Sequence, residues 1–414
     1  MAEKMPKPVD AKKIAAAVTE LNKVRKNWLK RDGVTAVDVG YRIHDGRITD
    51  DLAIRVHVRR KLHRDEVKKH EAFNLSGGAP EQTGAFDIDV LEAEYAPAQS
   101  QPALGPEVIE AVAINRKSRV NPLIAGVSVA NARVSAGTLG AIVWDREDSQ
   151  VCILSNWHVL CGRSTCEVGE SILQPGKFDG GRSTDEVARL KRWRLDVDAD
   201  AALANLTGAR SDTRDVLEWE PIKGVEAPKL GMKVIKSGRT TGLTKGIIDG
   251  VGLSTRLNYP DGTVQAFRDQ IHIVPRPPWP SIDYEVSKGG DSGSVWINED
   301  TGKAVGLHFA GETDPSPSAE HAIANQMVDV ARELNFSFLP LFSKPRNGGG
   351  GGGGKGGGGI NFRNILRAIL MLFHGRSRSG AQALSAESLR AESPMESDEI
   401  EALLDMTMEE MRNA

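Results

Sequence analysis

The chain has 414 residues, 40% of them hydrophobic, enough for a sizeable core spread over two or three domains. A formal net charge of -3 excludes global attraction to nucleic acid or anionic membranes, so any such contact must come from a local patch. Met1 to Pro8 lack the apolar core of a signal peptide, and no apolar run approaches the ~20 residues that span a bilayer. With the odd set Cys152, Cys161 and Cys166, which suits a reducing compartment better than a disulfide framework, a cytoplasmic protein is expected.

Residues 10 to 32 carry a helical period, with Asp10 as N-cap, Ile14, Val18, Leu21, Val24 or Arg25, Trp28 and Leu29 on one face, and Gly33 as the stop. The intervening lysines and arginines are expected to face water. The period then changes to two: Val37, Val39 and Tyr41 lead into a turn at Asp45-Gly46, and Leu52, Ile54, Val56 and Val58 return. A third strand at Phe86, Ile88 and Val90 completes a small α+β domain, which ends in the Pro- and Ala-containing stretch Ala96 to Pro106. Between Arg55 and Lys69 seven basic residues face two acids. No aromatics are interleaved with them, so a solvated strand face and charged loop are expected rather than nucleic-acid binding.

From about 107 to 345 short apolar runs alternate with Gly, Pro, Asp and Asn, the texture of an all-β domain. Strands are expected at 137 to 144, 151 to 154, 231 to 251 and 303 to 311, and a helical period at Ala322 to Leu334. The glycine run within 346–359 cannot bury a core and reads as a linker, about 20 Å long if its residues behave as coil. Ile360 to Phe373 is apolar with arginines nearby, too short to span a membrane and suited to a membrane surface, a groove or the chain's own folded part. The acidic end from Ala381 is expected to be largely disordered, with Ile400, Leu403, Leu404 and Met408 at helical spacing for a partner. The division is therefore 1–105, 106–345, 346–359 and 360–414.

The chemistry centres on Gly290-Asp291-Ser292-Gly293, a serine among glycines where backbone N–H groups can approach a reacting carbonyl. Acyl transfer by serine needs a base and an orienting acid. His158, at the end of a buried strand in Asn156-Trp157-His158-Val159, and Asp200, leading Ala201-Ala202-Leu203, offer both; Asp196 and Asp198 are rival acids. Cys161, Cys166 and His158 fall one well-spaced ligand short of a structural zinc site, and neither metal nor cofactor is expected.

These three segments, in this order, resemble the trypsin-like serine peptidases of the chymotrypsin fold. The resemblance implies a mainly β fold with a double antiparallel β-barrel, the small N-terminal α+β domain being an addition and the C-terminal tail flexible. Gly137-Thr-Leu-Gly140, Ser237-Gly-Arg-Thr-Thr-Gly-Leu243, Val39-Gly40-Tyr41 and Ile54-Arg-Val-His-Val58 are most similar to the intracellular bacterial and plant narrow-leaf-type members. It implies Ser292 as nucleophile, His158 as base, Asp200 as orienting acid, and the Gly290 and Ser292 amides as oxyanion donors. Val286, with Ser287 beside it, would lie at the base of the specificity pocket. Since no acid stands there, Lys or Arg preference is not expected. Val305 to Gly311 would pair with substrate through Phe309, Ala310 and Gly311. His308 falls where glutamyl peptidases and picornavirus-type proteases, similar in fold, use a histidine to meet Glu or Gln, and is either that donor or a packed histidine.

No Arg-Ile-Val-Gly-Gly-like activation sequence is present, so Asp291 needs another partner, and Trp157 is bulkier than the small residue usual before the histidine. The implied activity is serine endopeptidase, with autoprocessing and regulation compatible; the other class is a catalytically silent protease-like scaffold. Expected partners are a protein or peptide substrate, further copies in a homo-oligomer, and, for the tail, its own active site, a partner protein or a membrane surface.

Overall fold

The computed structural model describes residues 5–44, 47–60, 82–98, 114–277, 284–312 and 320–340. The Asp45-Gly46 turn, most of the basic run, and the linker and tail lie outside the described residues. Asp10 opens the first helix, Ala11–Trp28, its carboxylate accepting the Lys12 amide at 2.9 Å and the Lys13 amide at 3.3 Å. Ala17 and Leu21, four apart and so on one face, press onto Val37, Val39, Tyr41, Ile54 and Val56 of the strands Val34–His44 and Arg47–Val58. Arg25, rather than its alternative Val24, continues this face and is also buried.

Six antiparallel strands close into a barrel in the order Lys233–Gly238, Val295–Asn298, Ala304–Glu312, Ala322–Gln326, Val264–Pro275 and Gly242–Asn258, the last pairing back onto the first. Val234, Ile248, Ile271, Ile273, Trp296 and Val305 fill its core. The helical period at Ala322 to Leu334 is divided: Ala322–Gln326 is a strand, and only Met327–Glu333 is helical. Pairing on both sides, to Ile271–Ile273 and Gly306–Gly311, decides the matter, because ladder bonds and burial between two strands outweigh alanine's helix preference.

A second, eight-stranded antiparallel sheet runs Phe336–Ser337, Ala141–Asp145, Val151–Ser155, Asp200–Leu206, Glu186–Leu195, Ser171–Leu173, Ser128–Asn131 and Gly137–Thr138. The described chain is therefore mainly β, as expected.

The N-terminal hairpin and the barrel share a sheet. Gly242–Asn258 is 17 residues long; its first part pairs with Lys233–Gly238 and its later part with Val34–His44, with Gly40 opposite Gly250. A fully buried ion network crosses this seam. Arg55 Nε donates to Asp38 Oδ1 at 2.7 Å and its Nη1 to Asp249 Oδ2 at 2.6 Å, and His272 Nδ1 lies 2.6 Å from Asp249. A Cβ on Gly40 or Gly250 would collide with the Arg55 guanidinium, which explains both glycines. Burial works against every charge here. The two carboxylates outweigh it and hold Arg55 charged, while Arg55 and then His57 hold Asp38 far below the ordinary carboxylate range. Arg55 and His57 thus belong to an interior network rather than to a solvated strand face.

Candidate active site

Asp200 begins the strand Asp200–Leu206, beside Val151–Ser155, with Ser155 opposite Ala202. The chain leaves Ser155 through Asn156 into a one-turn helix, Trp157–Leu160, and the Asn156 side-chain amide donates to the Asp200 carbonyl at 2.7 Å. Adjacent strands therefore fix both groups. His158 Nδ1 lies 2.5 Å from Asp200 Oδ2, and the His158 amide donates to Oδ1 at 3.2 Å. Of the rival acids, Asp196 is used locally, accepting the Asp198 and Ala199 amides at 3.0 and 3.1 Å. His158 Nε2 is buried without a hydrogen-bond partner among the described residues.

Two residues not expected from the sequence complete the acid's surroundings. The Tyr259 hydroxyl donates to Asp200 Oδ2 at 2.6 Å, and Asn325 Oδ1 accepts the Asp200 amide at 3.1 Å. Tyr259 packs edge-on against Trp157 with ring centres 5.6 Å apart, so the bulky residue before the histidine braces the tyrosine that holds the acid.

Ser292 is fully buried, with left-handed glycines at Gly290 (φ +100°) and Gly293 (φ +93°). The loop is held by Asp291. Its carboxylate accepts Lys236 Nζ at 2.9 Å, Thr241 Oγ1 at 2.6 Å, and the Thr240, Thr241 and Lys288 amides at 2.8, 3.1 and 3.0 Å. Burial alone would raise this carboxyl; the Lys236 charge and the Thr241 and Lys236 hydrogen bonds outweigh it and bring the pKa down to about 2. Lys236 is thus the partner that the missing activation sequence left open. The run Ser237 to Leu243 supplies the two threonines, and Gly238 leaves the room that the Asp291 carboxylate fills. Gly137 to Gly140 supports the loop from the other sheet: Thr138 N donates to the Ser292 carbonyl at 2.7 Å, and Thr138 Oγ1 to the Gly290 carbonyl at 2.8 Å.

The cleft beside Ser292 holds a strand of the same chain. Tyr95–Pro97 pairs antiparallel with the later part of Ala304–Glu312, placing Pro97 opposite Ala310 and Ala96 opposite Gly311. Ala98 N donates to the Phe309 carbonyl at 3.0 Å. The Ala98 carbonyl oxygen accepts both the Gly290 amide at 2.9 Å and Ser292 Oγ at 2.6 Å. The stretch from Ala96, read as a domain boundary, is a cleft strand as far as Ala98; residues 99 to 113 lie outside the described residues.

Of the residues expected at a specificity pocket, Ser287 is half-buried beside Gly311, whose Cβ, if it had one, would stand 3.3 Å from Ser287 Oγ. Val286 is buried in the barrel core, and its amide donates to Glu320 Oε2 at 3.2 Å. An acid that sequence proximity did not reveal therefore stands next to this position. Burial raises the Glu320 pKa to about 7. His308 is fully buried, with neither ring nitrogen hydrogen-bonded among the described residues. Burial first, then Lys236, pulls its pKa down to about 3, so the ring is neutral.

The cysteines depart from the reduced set expected. Cys161 and Cys166, just beyond the His158 helix, are joined in a disulfide with Cα atoms 5.5 Å apart, and Cys152 is free and buried. Among the described residues no helix is long and apolar enough to cross a membrane.

No family model and no curated protein matches the chain. Solved structures similar to it include Thermobifida fusca protease A (17% identity, 51% of this chain and 96% of that one, TM-score 0.38) and Cellulomonas bogoriensis chymotrypsin (17%, 53% and 98%, TM-score 0.38). A third is a glutamic acid-specific serine protease described as using a histidine triad in substrate binding (19%, 52% and 99%, TM-score 0.39). The likeness spans about half of this chain.

Proposed function

We propose that the chain is a serine endopeptidase. Ser292 attacks the peptide carbonyl, His158 Nε2 takes its proton and returns it to the leaving amine, and Asp200, steadied by Tyr259, holds the ring with Nδ1 protonated. The Gly290 amide, with that of Ser292, stabilises the oxyanion. The observation that carries this reading is one carbonyl oxygen meeting both Ser292 Oγ and the Gly290 N–H, in a protein where Asp200 grips His158 at 2.5 Å.

Labelling by a fluorophosphonate probe tests it, using wild type and Tyr95→Ala, whose cleft strand has lost its buried anchor, with Ser292→Ala as control. Labelling that disappears in Ser292→Ala supports the enzyme. No labelling in wild type or Tyr95→Ala sinks it in favour of a silent scaffold.

For specificity, Val286, Ser287, His308 and Gly311 form the pocket, while Phe309, Ala310 and Gly311 pair with the substrate backbone. A neutral His308 with two unused nitrogens supports a preference for Glu or Gln, because it can donate to a side-chain oxygen. Cleavage of a peptide library after Glu or Gln at least about tenfold faster than after apolar residues is expected, in line with one hydrogen bond of about 1.4 kcal/mol. Equal rates would overturn it. A cytoplasmic location stays with the proposal through the sequence alone, since the Cys161–Cys166 bond argues against the reducing compartment inferred from the cysteines. Fractionation of cells with thiol trapping at lysis decides between them.

A further inference from the structure

The cleft strand is bound as a substrate would be. An antiparallel peptide added to a sheet alternates bonded and non-bonded positions. The bond from Ala98 N to the Phe309 carbonyl makes Pro97 and Ala310 a non-bonded pair, so the proline, which has no N–H to give, costs nothing there. Val295–Asn298 covers the earlier part of Ala304–Glu312, pairing from Ala304 to Leu307, so the later part is open on that side to receive Tyr95–Pro97. Tyr95 anchors the strand: its hydroxyl lies 2.6 Å from His57 Nδ1 and 3.1 Å from His272 Nε2, within the buried network. At the other end the Ala98 oxygen accepts the Gly290 amide, one of the two assigned oxyanion donors, together with Ser292 Oγ, and with a C=O bond of ~1.23 Å its carbon is within about 4 Å of Ser292 Oγ.

We propose that Tyr95–Ala98 is this enzyme's own first substrate, cleaved in cis after Ala98, and that residues 1–98 then stay in place as a bound product. The inference rests on the serine endopeptidase reading. Ser292 Oγ adds to the Ala98 carbonyl carbon as its proton passes to His158. The Ala98–Gln99 C–N bond breaks, and the Gln99 nitrogen leaves as an amine carrying that proton. Water then adds to the Ala98 ester, giving a proton to His158, and collapse returns the Ser292 hydroxyl and frees the Ala98 carboxylate. One water is consumed and one carboxyl and one amine are formed. Alanine stands where specificity in trans is assigned to Glu or Gln; a tethered segment needs no such contact, because the tether supplies an effective concentration that a free peptide lacks. The shared sheet and the Arg55 network hold the cut piece, since neither depends on the bond that breaks.

Intact mass spectrometry of full-length wild type and Ser292→Ala, followed by native size exclusion, tests this. Wild type is expected as two pieces, 1–98 and 99–414, that elute together, while Ser292→Ala is one chain and stays whole when mixed with wild type. An uncut wild type, a cut at another bond, or pieces that separate would overturn the proposal. So would Ser292→Ala cut alone or by added wild type, which would place the cleavage in another protease or in trans. Probe labelling on the same samples separates the two readings: an uncut wild type whose Ser292 labels overturns self-cleavage and leaves the endopeptidase standing, whereas an uncut wild type together with a Tyr95→Ala variant that also fails to label overturns both.

Discussion

At the scale of single residues, the site depends on partners far away along the chain. Asp291 and Lys236 are 55 positions apart, both fully buried, and nothing in the local sequence of either names the other. Removing one member of such a pair strands the second charge in a low-dielectric interior, which typically costs about 3 to 5 kcal/mol. Lys236→Met is therefore expected to lower the unfolding free energy by that order in urea denaturation and to abolish probe labelling of Ser292; a fully labelled, equally stable variant would show that the lysine does not order the loop. Tyr259 supplies a finer test. Asp200→Asn removes the acceptor that holds the His158 tautomer and should slow labelling by about 10⁴-fold. Tyr259→Phe removes one hydrogen bond to a carboxylate that keeps its other contacts, and should slow labelling only about tenfold, a loss of ~1.4 kcal/mol.

Among the elements, the Ser292 loop shows how little freedom two packed sheets leave. Gly293 has φ +93°, and a Cβ there would run into Ser155 Oγ and the Thr138 carbonyl. Strain in the left-handed region alone costs about 1 to 3 kcal/mol for other residues, and the collision adds to it. Gly293→Ala is expected to lower the unfolding free energy by more than ~2 kcal/mol in urea denaturation and to eliminate labelling. By contrast Asp10→Ala, at the far end of the first helix, should cost about 1 kcal/mol and leave labelling intact. The first helix and its hairpin were legible because their apolar residues follow periods of 3.6 and 2 within short windows. Ala322–Gln326 was not, because a run of small residues fits either period and only its two neighbouring strands select one.

For the whole molecule, buried titratable groups tie stability to pH. The unfolded His308 takes a proton below its ordinary 6.5, whereas the folded one resists until about 3, so its contribution is lost as pH falls across that interval. Asp249 and Asp291, both depressed to about 2 from an ordinary 3.8, contribute stability above 3.8 that disappears as pH falls through about 2. Glu320 has the opposite sign: raised from 4.5 to about 7, it contributes stability below 4.5 that is lost as pH rises through about 7. Urea denaturation across pH 3 to 8 should therefore show a flatter acid limb in His308→Asn and a flatter neutral limb in Glu320→Gln. Unchanged slopes in both would mean that these groups are not buried as described.

What the sequence by itself determined is what short-range chemistry imposes: the serine between glycines, the histidine ending a buried strand, the acid ahead of small apolar residues, and the periods of the first helix and hairpin. The residues alone leave Asp196, Asp198 and Asp200 as rivals and only the family resemblance favours Asp200; in the structure it is Asp200 that lies against His158. Only the tertiary structure decided what closes over long separations, because a contact between residues far apart leaves no period in either segment. Lys236 on Asp291 and Tyr259 on Asp200 belong here. So does Ala98, which reaches Ser292 from 194 positions away: in sequence the stretch from Ala96 looks like a boundary, and it becomes a strand because the later part of Ala304–Glu312 is left open by Val295–Asn298 on the side next to Ser292.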